Sequence, residues 1–316
     1  MYLGGKNKVA LQIDPIETLN FTTDSTLLIA SELQERGYKL FCYSPQDLLL
    51  DCGKLYAIGD YIELDCGGET FTKYGWQKLL LEDFQIILIR QNPPFNQQYL
   101  TTTYILETLQ KPLIINNPRA IRNVSEKLSI MNFQRLIPNT IVTENIGEII
   151  SFSHEHKTVI VKSLYNYGGE GVFKLEYVDE NFQVTIKQLL KTYGYLMVQE
   201  YLPEIVSSGD KRVMLMDGEI IGAISRIPPS EEFRANMVLG GKGYPTTLTK
   251  TEKDICNAVG GFLKEENIFL AGIDLISEKL IEINVTSPTG LVVMNKLYNR
   301  TLEKIIVDKI ENKLKR

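Results

Sequence analysis

Two short apolar runs on either side of a polar turn constrain this chain most, because they predict a β-hairpin. The runs cover residues 273–276 and 280–283, and Ser277-Glu278-Lys279 lies between them. Such runs pair as adjacent antiparallel strands. Alternation along the second strand then predicts one face with Leu280, Glu282 and Asn284 and an opposite face with Ile281, Ile283 and Val285.

The predicted hairpin brings together three side chains that carry oxygen. Register across the turn can place Asp274 beside Glu282, with Asn284 on the same face. Two carboxylates and an amide oxygen form a hard site that suits Mg²⁺ with bound phosphates. The alternative is a hairpin whose acids are simply solvated, and the hairpin alone leaves both interpretations open.

Composition indicates an ordinary globular protein of two or three domains. The chain has 316 residues, of which 44% are hydrophobic and 23% are charged. Its net charge is −5 and its basic residues are scattered, so we expect neither a nucleic-acid partner nor an anionic membrane surface. No apolar run approaches membrane-spanning length, and we expect a cytoplasmic protein.

Cysteine and histidine usage excludes several enzyme classes. The four cysteines, at positions 42, 52, 66 and 256, form no Cys-x-x-Cys pair, so neither zinc nor a disulfide framework is expected. The only histidines, His154 and His156, lie in a polar stretch typical of a solvated helix end or loop. Most zinc hydrolases and the Ser-His-Asp and Cys-His hydrolases need a placed imidazole, so these classes are disfavoured.

The first 120 residues predict an α/β domain with a parallel sheet. Residues 9–14 and 38–43 are strand-like, and a helix between them is capped by Asp24 or Ser25 and ends at Gly37. Further strands are predicted at 84–89 and 113–115, and residues 51–74 predict an excursion of short antiparallel strands.

Two charged residues follow strands of this predicted sheet. Ligands of open parallel sheets bind beyond the carboxyl ends of the strands, where Asp14 and Arg90 lie. They could hold the amino and carboxylate groups of a small zwitterionic substrate. On position alone, the more ordinary alternative is an Asp that caps the following loop and an Arg in a surface ion pair.

The remainder of the chain predicts an α+β region with antiparallel sheets. Helices are expected at 118–133, 251–267 and 298–315, strands at 138–143, 158–162, 172–177 and 195–201, and a hairpin at 211–227 around Asp217-Gly218. The loop 163–171 contains Gly168, Gly169 and Gly171, and its backbone could approach phosphates closely, although such a loop is more often a tight turn.

Four basic residues accompany these elements. Lys162 follows apolar strand residues, so its ammonium either extends to solvent or neutralises a phosphate. Lys127 is by default a solvated helix lysine. Arg212 and Arg226 lie on facing strands, where inward arginines are unfavourable unless they meet anions.

The combined motifs resemble the ATP-grasp carboxylate–amine ligases, and within them the bacterial-type glutathione synthetases. The resemblance covers nearly the whole chain and rests on Ile13-Asp-Pro-Ile16, Arg90-Gln-Asn-Pro-Pro-Phe95, Asn117-Pro118, Glu126-Lys127-Leu128, Gly209-Asp-Lys-Arg212, Arg226-Ile-Pro228, Gly240-Gly-Lys-Gly243 and Glu282-Ile-Asn-Val-Thr-Ser-Pro288.

The resemblance implies ATP-dependent joining of γ-glutamylcysteine and glycine through an acyl phosphate, with Mg²⁺, or alternatively Mn²⁺, as the metal. It also implies three regions and a homotetramer. Residues 1–120 would form the substrate domain, 121–202 the central ATP-grasp subdomain with the glycine-rich lid, and 203–316 the C-terminal subdomain with the metal site.

Site residues follow from the same resemblance. The metal ligands would be Asp274, Glu282 and Asn284, and Arg212 and Arg226 would lie at the reacting phosphate. Nucleotide contacts would come from Lys127, Lys162, Gly168, Gly169, Gln199, Glu200, Tyr201, Leu202 and Asp210. The peptide substrate would contact Asp14, Arg90, Arg234, Asn236, Gly241, Ser287 and Thr289.

Two departures and two alternatives qualify this expectation. The lid begins Lys162-Ser-Leu-Tyr-Asn where relatives more often carry Lys-Pro-Leu-Asp-Gly, and Gln91 and Asn92 replace residues that are commonly charged. The alternatives are another ATP-grasp ligase, such as a D-alanyl-D-alanine ligase, and a non-catalytic nucleotide-binding protein. The second should lack metal or phosphate residues, all of which are present.

Overall fold

A computed structural model describes residues 7–65, 70–229, 234–235 and 241–315. Its strands, numbered in chain order, are β1 Lys8–Gln12, β2 Lys39–Tyr43, β3 Leu48–Asp51, β4 Lys54–Leu64, β5 Phe71–Leu80, β6 Ile86–Ile89, β7 Leu113–Ile115, β8 Thr140–Thr143, β9 Thr158–Ser163, β10 Val172–Glu176, β11 Leu196–Glu200, β12 Asp210–Met216, β13 Glu219–Ile227, β14 Lys242–Pro245, β15 Leu270–Ile276 and β16 Lys279–Asn284. The helices are α1 Ser25–Glu35, α2 Gln97–Leu106, α3 Pro118–Asn123, α4 Ile146–His156, α5 Phe182–Tyr193, α6 Glu204–Ser208, α7 Lys250–Glu265, α8 Leu291–Tyr298 and α9 Leu302–Leu314.

The N-terminal region forms a seven-stranded sheet. Strands β1, β2, β6 and β7 are parallel, as predicted, whereas β3, β4 and β5 pair antiparallel with one another or with β2. The sheet is therefore mixed and not purely parallel, because the predicted excursion joins it. Asp24 caps α1 by accepting the N–H groups of Thr26 and Leu27, which confirms the predicted helix start.

Two antiparallel sheets follow, in agreement with the predicted fold class. The four-stranded sheet has the order β10-β9-β11-β8, and the five-stranded sheet has the order β14-β13-β12-β15-β16. The turn between β12 and β13 contains Asp217 and Gly218, both with positive φ, as a two-residue hairpin requires. Among the described residues, no helix is long and apolar enough to cross a membrane.

Two helix predictions are wrong in extent. The helix expected over 118–133 ends at Asn123 and resumes only as a 3₁₀ segment, Leu128–Phe133. The helix expected over 298–315 begins only at Leu302, because α8 ends at Tyr298 and Asn299 after it is in the left-handed conformation. In both regions tertiary packing overrides a continuous helical pattern: Val124 lies in the core, and the N–H of Leu302 bonds to the Asn295 side chain.

The hairpin predicted first is present, with one correction to its faces. Asp274 pairs with Glu282, but Leu275 pairs with Leu280, so Ile281 is an extra residue on β16. This bulge breaks the alternation. Leu280 therefore joins the core beside Ile283, while Ile281 lines a cleft together with Glu282.

Two neighbouring glycines of α7 differ in their surroundings, which provides a test of the packing. A Cβ at Gly260 would lie 2.1 Å from the carbonyl oxygen of Gly218, whereas a Cβ at Gly261 would meet no atom within 4 Å. We expect Gly260→Ala to destabilise the protein by about 1–3 kcal/mol, because the hairpin turn must move. Gly261→Ala should stabilise it by about 0.5–1 kcal/mol through helix propensity. Urea unfolding of both variants checks this, and equal effects would contradict the packing.

Candidate active site

A cleft lies between the four-stranded and five-stranded sheets. Its volume is about 800 Å³ when measured to its open mouth, a size that accommodates a nucleotide. Ile160 on β9 and Ile276 and Ile281 on the terminal hairpin contribute apolar surface to its lining, and charged side chains lie among them. The cleft therefore combines apolar contact area with polar groups that can orient a ligand.

All nine residues that we predicted to contact a nucleotide line this cleft. They are Lys127, Lys162, Gly168, Gly169, Gln199, Glu200, Tyr201, Leu202 and Asp210. They come from parts of the chain as far apart as Lys127 and Asp210, so folding brings residues of separate sequence motifs into one cleft. Their contacts with a nucleotide remain a prediction.

Lys127 is buried and is not the solvated helix lysine expected by default. Its side chain is 2% exposed, and its ammonium donates to the Glu126 carboxylate at 2.8 Å and to the carbonyl oxygen of Asn166 at 2.7 Å. Burial lowers the pKa of Lys127, but the charges of Glu282 and Glu126 outweigh it and raise the pKa. The ammonium thus stays charged and touches the glycine-rich loop.

Lys162 is the last residue but one of β9 and points into the same cleft. Its ammonium lies 3.8 Å from a carboxylate oxygen of Glu282, and its side chain is 6% exposed. Burial lowers its pKa, and Glu282 only partly opposes this shift. A buried ammonium of this kind gains most from an anionic ligand, because such a ligand restores a favourable environment for the charge.

Four buried charges form a network on three adjacent strands, and we name them the ion network: Asp210 and Arg212 on β12, Arg226 on β13 and Asp274 on β15. Arg212 binds both oxygens of Asp274, at 2.5 and 3.0 Å. Arg226 binds both oxygens of Asp210 and also lies 3.0 Å from Asp274. Burial disfavours ionisation of Asp274, but the two arginines outweigh it and lower its pKa to about 2.

The three predicted metal ligands meet as expected. Asp274 and Glu282 are cross-strand partners, and the amide nitrogen of Asn284 donates to an oxygen of Asp274 at 3.4 Å. Two carboxylates and one amide are hard donors that fit Mg²⁺. Among the residues that the structure describes, no group of three or more histidine, cysteine, aspartate or glutamate side chains could hold a metal, so this mixed set is the candidate.

Arg90 is not in a surface ion pair. It is 6% exposed, and its guanidinium donates to the Thr26 hydroxyl at 3.0 Å and to the Pro288 carbonyl at 2.8 Å. Burial lowers its pKa, and the charge of Asp24 opposes this shift only in part. Asp14, by contrast, accepts the N–H of Asn92, so it does bridge to the loop after β6.

The other predicted substrate contacts are only partly tested by geometry. Arg234 donates to the carbonyl oxygen of Gly169 in the glycine-rich loop at 2.9 Å. Ser287 and Thr289 are half-buried beside Pro288, and the carbonyl of Thr289 accepts from Arg212. Gly241 is half-buried, and Asn236 lies outside the described residues.

Two buried residues near Arg90 explain one departure from the family pattern. Gln91 is 4% exposed and its side chain accepts a hydrogen bond from Gln12, which is fully buried. The Gln91 side chain therefore forms an internal hydrogen bond beside the N-terminal sheet. A charged side chain here would be buried beside a neutral carboxamide.

Sequence reasoning missed the apolar wall of the cleft and the acid next to Lys127. Ile160 precedes Lys162 by two residues on β9, so strand alternation could have assigned it to the same face. Glu126 also lines the cleft, and burial raises its pKa despite the opposing charge of Lys127. No local signal identifies that burial.

Solved structures with the same fold define the class of protein. D-cycloserine synthetase matches 95% of this chain and 100% of its own with a TM-score of 0.67 and 11% identity. D-alanyl-alanine synthetase A from Vibrio cholerae matches 98% and 99% with a TM-score of 0.64 and 15% identity. The fold is that of the ATP-grasp ligases, as the sequence predicted.

Sequence comparison gives the particular family. Residues 8–122 match the prokaryotic glutathione synthetase N-terminal domain, and residues 126–299 match the ATP-grasp domain of the same enzymes. Glutathione synthetase of Agrobacterium fabrum is 40% identical over 96% of both chains, and that of Mesorhizobium japonicum is 38% identical over 98% of this chain and 100% of its own. The chain belongs to the prokaryotic glutathione synthetases, which confirms the resemblance and makes it an ATP-dependent ligase.

Adjacent residues on β12 provide a test of the ion network. Arg212→Met should destabilise the protein by about 3 kcal/mol, because Asp274 stays buried with one arginine fewer. Lys211 pairs with Glu252 at 2.7 Å but is 23% exposed, and Glu252 also accepts the N–H of Thr249. Lys211→Met should therefore lower stability by about 1 kcal/mol or less. Denaturant unfolding measured in EDTA compares the two variants, and similar losses would show that the network is not needed for folding.

Proposed function

We propose that this protein joins γ-glutamylcysteine to glycine with ATP, and that the reaction takes place where the cleft meets the ion network. The observation that carries the proposal is the convergence of buried Lys127, Lys162 and Arg226 with Asp274 and Glu282 in one cleft. Cations there compensate phosphates, and the acids supply ligands for a metal. D-alanyl-D-alanine ligation, the alternative activity, has no comparable support from the family matches.

The nucleotide would lie between the two sheets. Lys127 and Lys162 would contact its phosphates, and Gly168 and Gly169 would cover them with free backbone N–H groups. Residues 199–202 at the end of β11 would receive the adenine, and Asp210 would lie near the ribose or a phosphate. The apolar surfaces of Ile160 and Ile281 would pack against the base.

Mg²⁺ would be held by Asp274, Glu282 and Asn284, and Mn²⁺ fits the same donors. When bound, such an ion neutralises phosphate charge and supports phosphoryl transfer. Arg212 and Arg226 lower the pKa of Asp274, so its carboxylate is charged at neutral pH. Arg226, which lines the cleft, and Arg212, which binds Asp274, would face the transferred phosphoryl group and the oxyanion that forms after it.

The chemistry needs charge compensation rather than a side-chain nucleophile. The cysteinyl carboxylate of the dipeptide would attack the γ-phosphate and form an acyl phosphate, while the bond from the γ-phosphorus to the bridging oxygen breaks and ADP leaves. The glycine amine would then attack the acyl carbon and release phosphate. Fixed cations lower the repulsion between the carboxylate and the triphosphate, and the closed loop 163–171 excludes water from the acyl phosphate.

The peptide substrate would lie between the N-terminal sheet and the cleft. Arg90 is the anchor that we assign to a substrate carboxylate, because it is a buried cation whose only described partners are neutral oxygens. Asp14 would bind the amino group. Arg234, Asn236, Gly241, Ser287 and Thr289 would complete this end of the site.

Four expectations from the sequence remain predictions. They are the division into regions 1–120, 121–202 and 203–316, the homotetramer, the cytoplasmic location, and the absence of nucleic-acid and membrane partners. The division agrees with the separation of the three sheets along the chain. Light scattering of the purified protein would test the subunit count.

Turnover tests the reaction. ADP and phosphate should be released from ATP only when Mg²⁺, γ-glutamylcysteine and glycine are all present, and Glu282→Gln should lower kcat by about 100-fold or more, since a metal ligand loses its charge. Omitting each substrate in turn is the control. Release with D-alanine alone would assign the chain to a different ligase.

A matched pair of arginine variants tests the substrate anchor. Arg90→Met should raise the KM for γ-glutamylcysteine by about 10–100-fold, because a charged hydrogen bond is worth about 1.5–3 kcal/mol, with the KM for ATP unchanged. Arg36 pairs with Glu32, Asp308 and Glu311 far from the cleft. Arg36→Met should therefore affect stability but neither KM. An unchanged dipeptide KM in Arg90→Met would remove Arg90 from the site.

A further inference from the structure

Asn116, which follows β7 at the edge of the N-terminal sheet, makes four hydrogen bonds to another part of the chain. Its side-chain oxygen accepts the N–H groups of Phe269 and Leu270, at 3.0 and 2.8 Å. Its side-chain nitrogen donates to the carbonyl oxygens of Leu270 and Val285, at 2.7 and 2.8 Å. An asparagine carboxamide has two donors and two acceptor lone pairs, so its full capacity is used. The residue is 3% exposed.

These bonds close the open end of the metal-site hairpin. Gly272 pairs with Asn284, so continuation of β16 would pair Leu270 with Thr286. The Asn116 carboxamide instead takes both the N–H and the carbonyl of Leu270, as the backbone of a partner strand would. Strand β16 therefore ends at Asn284, and the chain leaves the sheet toward Ser287 and Thr289.

Only asparagine has this combination of groups at this length. Alanine would leave two N–H groups and two carbonyls of the hairpin without these bonds, in a buried position where unmet polar groups are unfavourable. Aspartate would keep the acceptors but turn a carboxylate toward two carbonyl oxygens. The interaction is thus specific to the carboxamide.

We infer that Asn116 is a positioning residue for the metal site: it fixes the hairpin that carries Asp274, Glu282 and Asn284 against the substrate domain. Val285 is adjacent to Asn284, and Leu270 begins the strand that holds Asp274. A shift at the open end moves two ligands relative to each other. This inference rests on the proposed metal site and adds a residue that contacts none of the ligands.

Asn117 is a matched control next in the chain. Its side chain accepts the N–H groups of Arg119 and Ala120 and so caps its own helix α3. Asn117→Ala removes one exposed and one partly buried hydrogen bond and should lower stability, but it leaves the hairpin untouched.

The experiment compares the Kd of ADP with and without Mg²⁺, by calorimetry, for the full-length wild type, Asn116→Ala and Asn117→Ala. In the wild type, Mg²⁺ should lower the Kd of ADP, and this decrease is the Mg²⁺-dependent gain in affinity. In Asn116→Ala this Mg²⁺-dependent gain should fall by about 10-fold or more, as for other residues that orient metal ligands, with the Kd in EDTA unchanged. Asn117→Ala should keep the full gain.

The outcomes separate this inference from the proposed function. A full gain in Asn116→Ala overturns the positioning role and leaves the metal site intact. No gain in the wild type overturns the metal site and the positioning role together, whereas the turnover assay judges the ligase reaction independently. If Asn116→Ala does not fold, Asn116→Asp is measured in the same way, with the same loss expected.

Discussion

The ion network is the interaction on which the remaining site geometry depends. Arg212 and Asp274 are cross-strand neighbours, and so are Asp210 and Arg226. A slip of one residue between β12 and β15 would turn Asp274 to the opposite face and leave buried charges without partners. The network therefore fixes the register of β13, β12 and β15, and β16 then adds Glu282 opposite Asp274.

The same pairs explain why glycine occurs where it does. A Cβ at Gly272 would lie 3.0 Å from a guanidinium nitrogen of Arg212, and a Cβ at Gly209 would lie 2.0 Å from the carbonyl oxygen of Arg226. Each glycine thus leaves room for one arginine of the network, either for its side chain or for its backbone. Packing and electrostatics specify these positions together.

Local patterns predicted the parts of the fold that depend on local physics. Alternation and turn residues gave the hairpins around Asp217-Gly218 and Ser277-Glu278, and the carboxylate of Asp24 marked a helix start. The positions of Lys162 and Asp274 on strands also follow from the apolar runs around them, but their orientation toward one cleft does not. The motifs then supplied what periodicity lacks, namely which strand ends converge.

Features that depend on distant contacts could not be predicted. The bulge at Ile281 turns Leu280 and Ile281 to the faces opposite those predicted, and the residue types of the hairpin do not indicate it. The end of α3 at Asn123 follows from the burial of Val124, and the burial of Lys127 requires the carbonyl of Asn166, 39 positions away. The four partners of Asn116 are more than 150 residues distant. Each requires knowledge of the assembled sheets.

The hydrogen bond at the base of the glycine-rich loop affects how often this loop opens. The N–H of Ser163 donates to the carbonyl of Gly171 at 2.8 Å, one step beyond the last cross-strand pair, Lys162 with Val172. The proline that relatives more often carry at this position has no N–H and could not form this bond. One such bond is worth about 1 kcal/mol, which lowers the open population of the loop about fivefold. The nucleotide that we propose beneath this loop would dissociate more slowly by a similar factor, although the serine adds no contact to the ligand.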